Sequence, residues 1–239
     1  MTPRRTEGRA KRNRGAAACI LTGVVLLLCA IGLTMTPAGD SAFRLLQSRA
    51  AIVVHADFAQ PTEGWFGARD WSRAWTRERK AMRIGQLALY RPSLGLEDYD
   101  FEFVGQLDRS LAWVFRASDL RSYYMTRLIA EAQSGELVLE RSAVVAGEES
   151  HRVQVPVRDR FDVSRPVRIS VEVRGSDFRT SIDGHVVDFF HDDLLSVGGV
   201  GFTGEPDDRP RLYWMRVRHH DDLIGKFCAW LTPAGASGA

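Results

Sequence analysis

Two carboxylates two residues apart, Asp100 and Glu102 in the segment EDYDFEF, are the nearest approach in this sequence to a paired acid–base set. Alternate residues of a strand share a face, so the two could project side by side. Hydrolysis of a glycosidic bond uses two carboxyl groups about 5–10 Å apart, one giving a proton and one attacking or activating water. Spacing along one strand does not set a pair across a cleft. Asp98, Asp100 and Glu102 are therefore read as acids facing solvent on a strand entering a sheet, and no residue is assigned a catalytic role. His191-Asp192-Asp193 and His219-His220-Asp221-Asp222 offer imidazole and carboxylate ligands. Neighbours on a strand point to opposite faces, so such runs meet on one ion only where a loop folds them together. The expectation is no metal centre and no cofactor. A Ca2+ held by Asp192 and Asp193 is the alternative, because hard cations gather several oxygens. Neither a Gly-x-Ser-x-Gly elbow nor a phosphate-binding glycine loop occurs.

Ligand binding to a sheet face is the remaining chemistry. If Phe101, Phe103, Trp113, Phe115, Tyr123 and Met125 point into a core, alternation collects Glu102, Gln106, Arg116, Tyr124 and Thr126 on the opposite face. Trp214, Arg216 and Arg218 join them if Tyr213, Met215 and Val217 face inward. An aromatic plate beside hydrogen-bonding side chains suits the apolar face and the hydroxyls of a pyranose. The competing reading makes Glu102 and Arg116 a plain cross-strand ion pair.

These residues need strands to position them. From Ala51 the chain runs as AIVVHADF, a Trp-rich stretch with Trp65, Trp71 and Trp75, then AMRIGQLALY, YDFEFVGQL, SLAWVFRAS, YYMTRLIAE, GELVLERSAVV, HRVQVPV, VRISVEV, FRTSI, HVVDFF, VGGVGF and RLYWMRVRH. A dozen short segments at close spacing, without helical periodicity between them, predict an antiparallel sandwich or barrel over residues 51–220. FRTSI and HVVDFF are joined by Asp183-Gly184, a pair that accepts the positive φ of a two-residue hairpin turn. Alternation there puts Phe178, Thr180 and Ile182 on one face and leaves the acids of this hairpin, Asp188 included, on turns and rims. A short amphipathic helix and tail are expected in 221–239. There Leu223, Ile224, Phe227, Trp230 and Leu231 share a helical face, and Asp221 or Asp222 suits the helix start.

The beginning of the chain differs. Residues 1–14 hold Arg4, Arg5, Arg9, Lys11, Arg12 and Arg14 against Glu7, a net +5 where the whole chain carries +2, so the remainder is acidic at −3. Positive charge confined to a tail argues against nucleic acid, which needs it spread over a folded face. Only three of the 32 basic residues are lysine, an Arg bias of the kind a GC-rich bacterial genome produces. Residues 15–36 contain no charged side chain and are long enough for a helix to cross roughly 30 Å of hydrocarbon. The expectation is one transmembrane helix in a bacterial inner membrane. The basic tail would be cytoplasmic, 37–50 a juxtamembrane spacer, and the rest periplasmic or extracellular. A cleaved signal peptide ending before Gly39 is the alternative. Cys19 and Cys29 fall within the apolar run, which leaves Cys228 as the one thiol beyond it and no intrachain disulfide for the exported part.

The order of the strand segments resembles the concanavalin A-like jelly-roll group, specifically laminin-G-like modules and the bacterial domains labelled 3-keto-disaccharide hydrolase. The resemblance covers about 52–219. It rests on Phe115-Arg116 closing one strand before Tyr123 and Tyr124 on the next, on the hairpin at 183–189, and on the glycine-rich strand at 198–202. It implies a jelly-roll β-sandwich. The jelly-roll glucanases carry Glu-x-Asp-x-x-Glu on one strand, and this chain has none. Two functions follow as expectations. The first is a membrane-anchored, non-catalytic module that binds carbohydrate or a protein partner. The second is a glycan-processing hydrolase with Glu102 and Arg116 near the reaction. The candidate binding residues in either case are Glu102, Gln106, Arg116, Tyr124, Thr126, Trp214 and Arg216.

Overall fold

The computed structural model describes residues 52–58, 63–131, 136–205, 208 and 210–219. The basic tail, the apolar segment 15–36, the spacer and the C-terminal helix expected in 221–239 lie outside the described residues. Among the described residues no helix is long and apolar enough to cross a membrane.

The strands are β1 (Ile52–Asp57), β2 (Trp65–Gly67), β3 (Thr76–Arg77), β4 (Met82–Arg83), β5 (Ala88–Tyr90), β6 (Tyr99–Gln106), β7 (Ser110–Asp119), β8 (Ser122–Ala130), β9 (Leu137–Val145), β10 (Glu148–Glu149), β11 (Val153–Val157), β12 (Val167–Arg174), β13 (Asp177–Ile182), β14 (His185–His191), β15 (Gly199–Thr203) and β16 (Arg211–His219). The only helical pieces among the described residues are α1 (Trp71–Ala74) and a 3-10 turn (Arg91–Ser93). One antiparallel sheet runs β14-β13-β12-β6-β16-β4-β3 with β1 also on β16. The other runs β10-β9-β8-β7-β15-β5-β2 with β11 also on β9. We call them the β6 sheet and the β7 sheet.

Alternation builds the core between them. Residues directly opposite in an antiparallel pair share a face, and the register aligns Ile169 with Phe103 and Phe103 with Met215, then Val171 with Phe101 and Phe101 with Val217. From the β7 sheet Leu111, Trp113, Phe115, Leu128 and Phe202 point back at them, and all are fully buried. Phe202 sits at the centre, with ring centroids 5.0 Å from Phe103, 5.6 Å from Phe101 and 6.0 Å from Phe58. Gly201 beside it has no room for a Cβ, which would fall 2.4 Å from the Ala88 carbonyl oxygen.

The hairpin expected at Asp183-Gly184 forms, with φ of 49° and 87°, and the Asp183 carboxylate accepts the Arg168 amide at 2.9 Å. Phe178, Thr180 and Ile182 do share the buried face. Two expectations fail. Asp188 is not on a rim: a register shift between Thr180 and Ser181 turns it inward, where it pairs with Arg141. Nor do Tyr123 and Met125 face the core, because Phe115 lies opposite Tyr124 and so carries Tyr124, Thr126 and Leu128 inward with it.

Truncating Phe202 to Ala leaves a cavity touching four other rings, those of Phe58, Trp65, Phe101 and Phe103, and is expected to cost about 3–5 kcal/mol. Urea unfolding of the two forms, compared at equal slope, measures it.

Candidate functional site

The seven residues expected on one surface divide between the two sheets. Glu102, Gln106, Trp214 and Arg216 share the outward face of the β6 sheet. Arg116, Tyr124 and Thr126 belong to the β7 sheet and are 1–2 % exposed. The expectation of one surface placed β6 and β7 in the same sheet. Instead β6 and β7 lie in different sheets, and the Asp208 carboxylate caps the crossing by accepting the amides of Arg109 at 3.0 Å and Ser110 at 2.6 Å.

On the β6 sheet the outward side chains already engage one another. Glu102 is held by Arg216 and by Arg168 at 3.4 Å, and Asp100 by Arg174 and by Arg218 at 3.6 Å. Trp214 lies between the His55 ring, stacked at 5.8 Å, and the Arg168 guanidinium at 5.7 Å. Gln106 accepts the Tyr213 hydroxyl at 2.9 Å and donates to the Ser164 carbonyl at 2.7 Å.

Arg116 has the opposite of an exposed role. A bulge in β7 gives it φ 52°, and this turns its side chain into the end of the sandwich. Its guanidinium donates to the carbonyls of Ser196 and Gly175, its amide donates to the Tyr99 hydroxyl at 2.9 Å, and Asp98 lies 3.9 Å away. Gly198 makes this possible, since a Cβ there would meet the Arg116 carbonyl carbon at 2.4 Å. Burial lowers the Arg116 pKa and raises that of Tyr99. Tyr124 is likewise structural. Its hydroxyl donates to Asp192 at 2.6 Å and accepts the Leu195 amide at 3.2 Å, so Asp192, weighed above as a calcium ligand, anchors a loop.

The other outward face, that of the β7 sheet, carries a second buried cluster. Leu89, Ala112, Val114, Ala117, Glu140, Ser142 and Val144 all turn away from the core, yet none is more than 8 % exposed. The register arranges them in rows. Thr203, Ala112, Arg127, Glu140 and Gln154 form one; Phe66, Leu89, Gly201, Val114, Met125 and Ser142 the next; Tyr123, Val144 and Glu149 a third. Half of this surface is apolar, with Phe66, Met125 and Tyr123 packed on Leu89, Val114 and Ala117. The other half is charged. Arg152 grips Glu149 through two nitrogens at 2.9 and 3.0 Å and reaches Glu140 at 3.2 Å; Ser142 donates to Glu149 at 2.8 Å, and Arg127 binds Glu205 at 2.6 Å. The Arg127 Nε–H is buried without an acceptor among the described residues. The hydrogen bonds of Arg152 lower the Glu149 pKa, while burial, and then the Glu149 charge, raise that of Tyr123. From the sequence Tyr123 and Met125 are expected in the core, and none of these residues is a candidate for binding. The Arg127/Glu140 pairing could have been found only with the register of β8 against β9 in hand.

No protein-family model matches the chain, and no curated protein matches it. Solved structures do. A Bacillus licheniformis beta-glucanase superposes with TM-score 0.51 at 10% identity, covering 69% of this chain and 97% of its own. The carbohydrate binding module CBM66 from Bacillus subtilis gives 0.45 at 18%, covering 65% and 92%. The laminarinase catalytic domain from Thermotoga maritima MSB8 gives 0.48 at 9%, covering 72% and 100%. Identities this low speak to the fold alone, a sandwich of two antiparallel sheets like that of the beta-glucanase.

Two outcomes follow from this geometry. Arg116→Met removes the guanidinium that holds the Ser196 and Gly175 carbonyls and is expected to destabilise by about 1.5–3 kcal/mol, read as a lowered denaturation midpoint. Glu149 has a depressed folded pKa, so its stabilisation is present above its unfolded value, about 4.3, and fades as pH falls through the folded one. The stability gap between wild type and Glu149→Gln, under about 1 kcal/mol for so exposed a pair, should therefore close between pH 7 and pH 3.

Proposed function

We propose that this protein is a non-catalytic carbohydrate-binding module whose ligand lies on the outward face of the β7 sheet, held outside a bacterial inner membrane by the apolar segment 15–36. The observation that carries the reading is the division of that face. A pyranose has apolar C–H faces and a rim of hydroxyls, and it needs side chains of both kinds within one ring's width. Tyr123, Met125 and Phe66 supply the first kind, and Arg127, Glu140, Glu149 and Arg152 the second. The anchor rests on the uncharged stretch behind a basic tail.

A glycan-processing hydrolase is the second reading, favoured by three carboxylates, Glu140, Glu149 and Glu205, on the same face. A hydrolase needs one carboxyl kept protonated as general acid. Arg152 pushes Glu149 the other way. The β6-sheet residues Glu102, Gln106, Trp214 and Arg216 remain the alternative surface, for glycan or for a protein partner, though Glu102 is committed to Arg216 and Gln106 to Tyr213 and Ser164.

A glycan array probed with wild type, Tyr123→Ala, Arg152→Ala and Trp214→Ala separates the faces. Loss of at least tenfold in affinity is expected for the first two variants, about 1.4 kcal/mol, with thermal midpoints near wild type and Trp214→Ala unaffected. The reverse pattern would place the ligand on the β6 sheet, and sugar release abolished by Glu140→Gln would favour the hydrolase.

A further inference from the structure

Net charge conceals a concentration of positive charge within the folded domain. Residues 52–219 hold 23 basic against 26 acidic side chains, yet residues 69–83 alone hold Arg69, Arg73, Arg77, Arg79, Lys80 and Arg83 against Asp70 and Glu78. That stretch is at +4 in a domain at −3, so the rest of the domain is at −7. The stretch folds as one small unit. α1 lies so close to the chain leaving β4 that a Cβ on Gly85 would fall 2.5 Å from the Ala74 carbonyl oxygen. β3 follows and pairs with β4, Thr76 with Arg83 and Arg77 with Met82, and the Glu78 amide donates to the Ala81 carbonyl at 2.8 Å behind the tip residues Arg79 and Lys80. This hairpin ends the β6 sheet on the side away from β14.

The cations stand on the outside of this unit. Arg69, Arg73, Arg77, Arg79 and Lys80 are exposed, and Arg73 keeps 83% of its side chain in solvent while pairing with Asp70 at 3.2 Å. Glu78 does not offset the tip, because Arg83 and Arg211 both hold it, Arg211 at 2.7 Å. Arg211 belongs to β16 and adds a further cation behind the hairpin. Arg69, Arg79 and Lys80 have no acidic partner among the described residues. The neighbouring cavity of about 450 Å3 does not gather this charge, since Glu205 and Asp208 line it beside Arg83. The positive charge lies on an exposed ridge, and a ridge meets a surface where a pocket would take a small ion.

We propose that this ridge docks on an anionic phospholipid surface. Each Lys or Arg close to such a surface favours association, and the attraction dies away within a Debye length, so charge concentrated on a protruding tip counts where charge spread over the body does not. The guanidinium fork suits lipid phosphate. Trp71, only partly buried and edge-on to Trp75 at 5.6 Å, belongs to the same unit, and indole rings settle at headgroup depth. A body at −3 is repelled by the same lipids unless its positive ridge leads. A lipid surface is favoured over a soluble polyanion by the reach of the chain. β1 begins opposite His219 and β4 pairs with Leu212 of the same strand, about 23 Å along it. Residues 37–50 span up to roughly 50 Å when extended. A domain tethered through 15–36 can therefore lay the ridge on the membrane that holds it. The choice of membrane rests on the anchor proposed above; the charge of the ridge does not.

The test is hydrogen–deuterium exchange of the full chain in nanodiscs of phosphatidylcholine, alone or mixed with phosphatidylglycerol. Amides of residues 69–83 should exchange several-fold more slowly on the anionic discs, while those of 185–191 at the far edge of the sheet stay unchanged. High salt should abolish the difference. The double variant Arg79→Glu/Lys80→Glu, at exposed positions of a turn tip, should keep the thermal midpoint and lose the protection. The proposal is overturned if protection is equal on both lipids, if it survives salt or the double variant, or if alginate or duplex DNA slows the same amides as strongly on neutral discs. Release of the chain from the discs by alkaline carbonate sinks the anchor instead. The ridge is then read by flotation of the released chain, which should follow anionic vesicles only and fall about fivefold for each cation removed; flotation with neutral vesicles, or none with anionic ones, overturns it.

Discussion

The placement of every side chain on the β7 sheet depends on one pairing, Phe115 against Tyr124. Residues opposite each other in an antiparallel ladder lie on the same side, so an inward Phe115 fixes Tyr124, Thr126 and Leu128 as interior and Tyr123, Met125 and Arg127 as exterior. The ring stack at 5.5 Å between Phe115 and Tyr124 holds that choice. One residue later the ladder breaks. Arg116 takes a positive φ, and its guanidinium leaves the pleat to tie the end of β7 to the turn after β12 and to the loop before β15. A bulge re-aims a side chain in this way because the extra residue has no partner across the ladder. The two sheets are thus clasped at one end by a buried arginine and left open at the edge between β9 and β14.

The two outward faces differ because their side chains differ in size and charge. The β6 sheet presents long arginines and acids in alternation, which lie across the surface and neutralise one another; such exposed pairs contribute little stability, about 0–1 kcal/mol each. The β7 sheet carries Ala112, Val114, Ala117 and Gly201 down its middle, with larger residues at the margins. The larger residues close over the small ones, so this face presents an apolar half, Phe66, Met125 and Tyr123, beside a charged half around Arg152.

Strand segments, the Asp183-Gly184 turn and the inward set Phe101, Phe103, Trp113 and Phe115 could be read from the sequence because alternation and turn chemistry are local signals. Membership of a sheet is not local. EDYDFEFVGQL and SLAWVFRAS are separated by a connection short enough for a hairpin, and nothing in either segment says that the chain crosses to the opposite sheet there. That step scattered the candidate residues: Glu102 and Gln106 stayed with Trp214 and Arg216, while Arg116, Tyr124 and Thr126 went into the interior of the other layer. YYMT conceals the second difficulty. Two adjacent tyrosines satisfy either phase of the alternation, so periodicity cannot choose between Tyr123 and Tyr124, and only the partner strand decides.

The inward pair Arg141 and Asp188 bears on why β14 sits where it does. It is an edge strand with Val186 and Phe189 each 57% exposed, so hydrophobic burial gives it only a weak hold on its position. A slip of one residue against β13 would exchange Asp188 for an apolar neighbour and leave Arg141 facing hydrocarbon. Desolvating an unpaired guanidinium costs several kcal/mol, far more than the pair itself gains. The ion pair therefore contributes register more than stability.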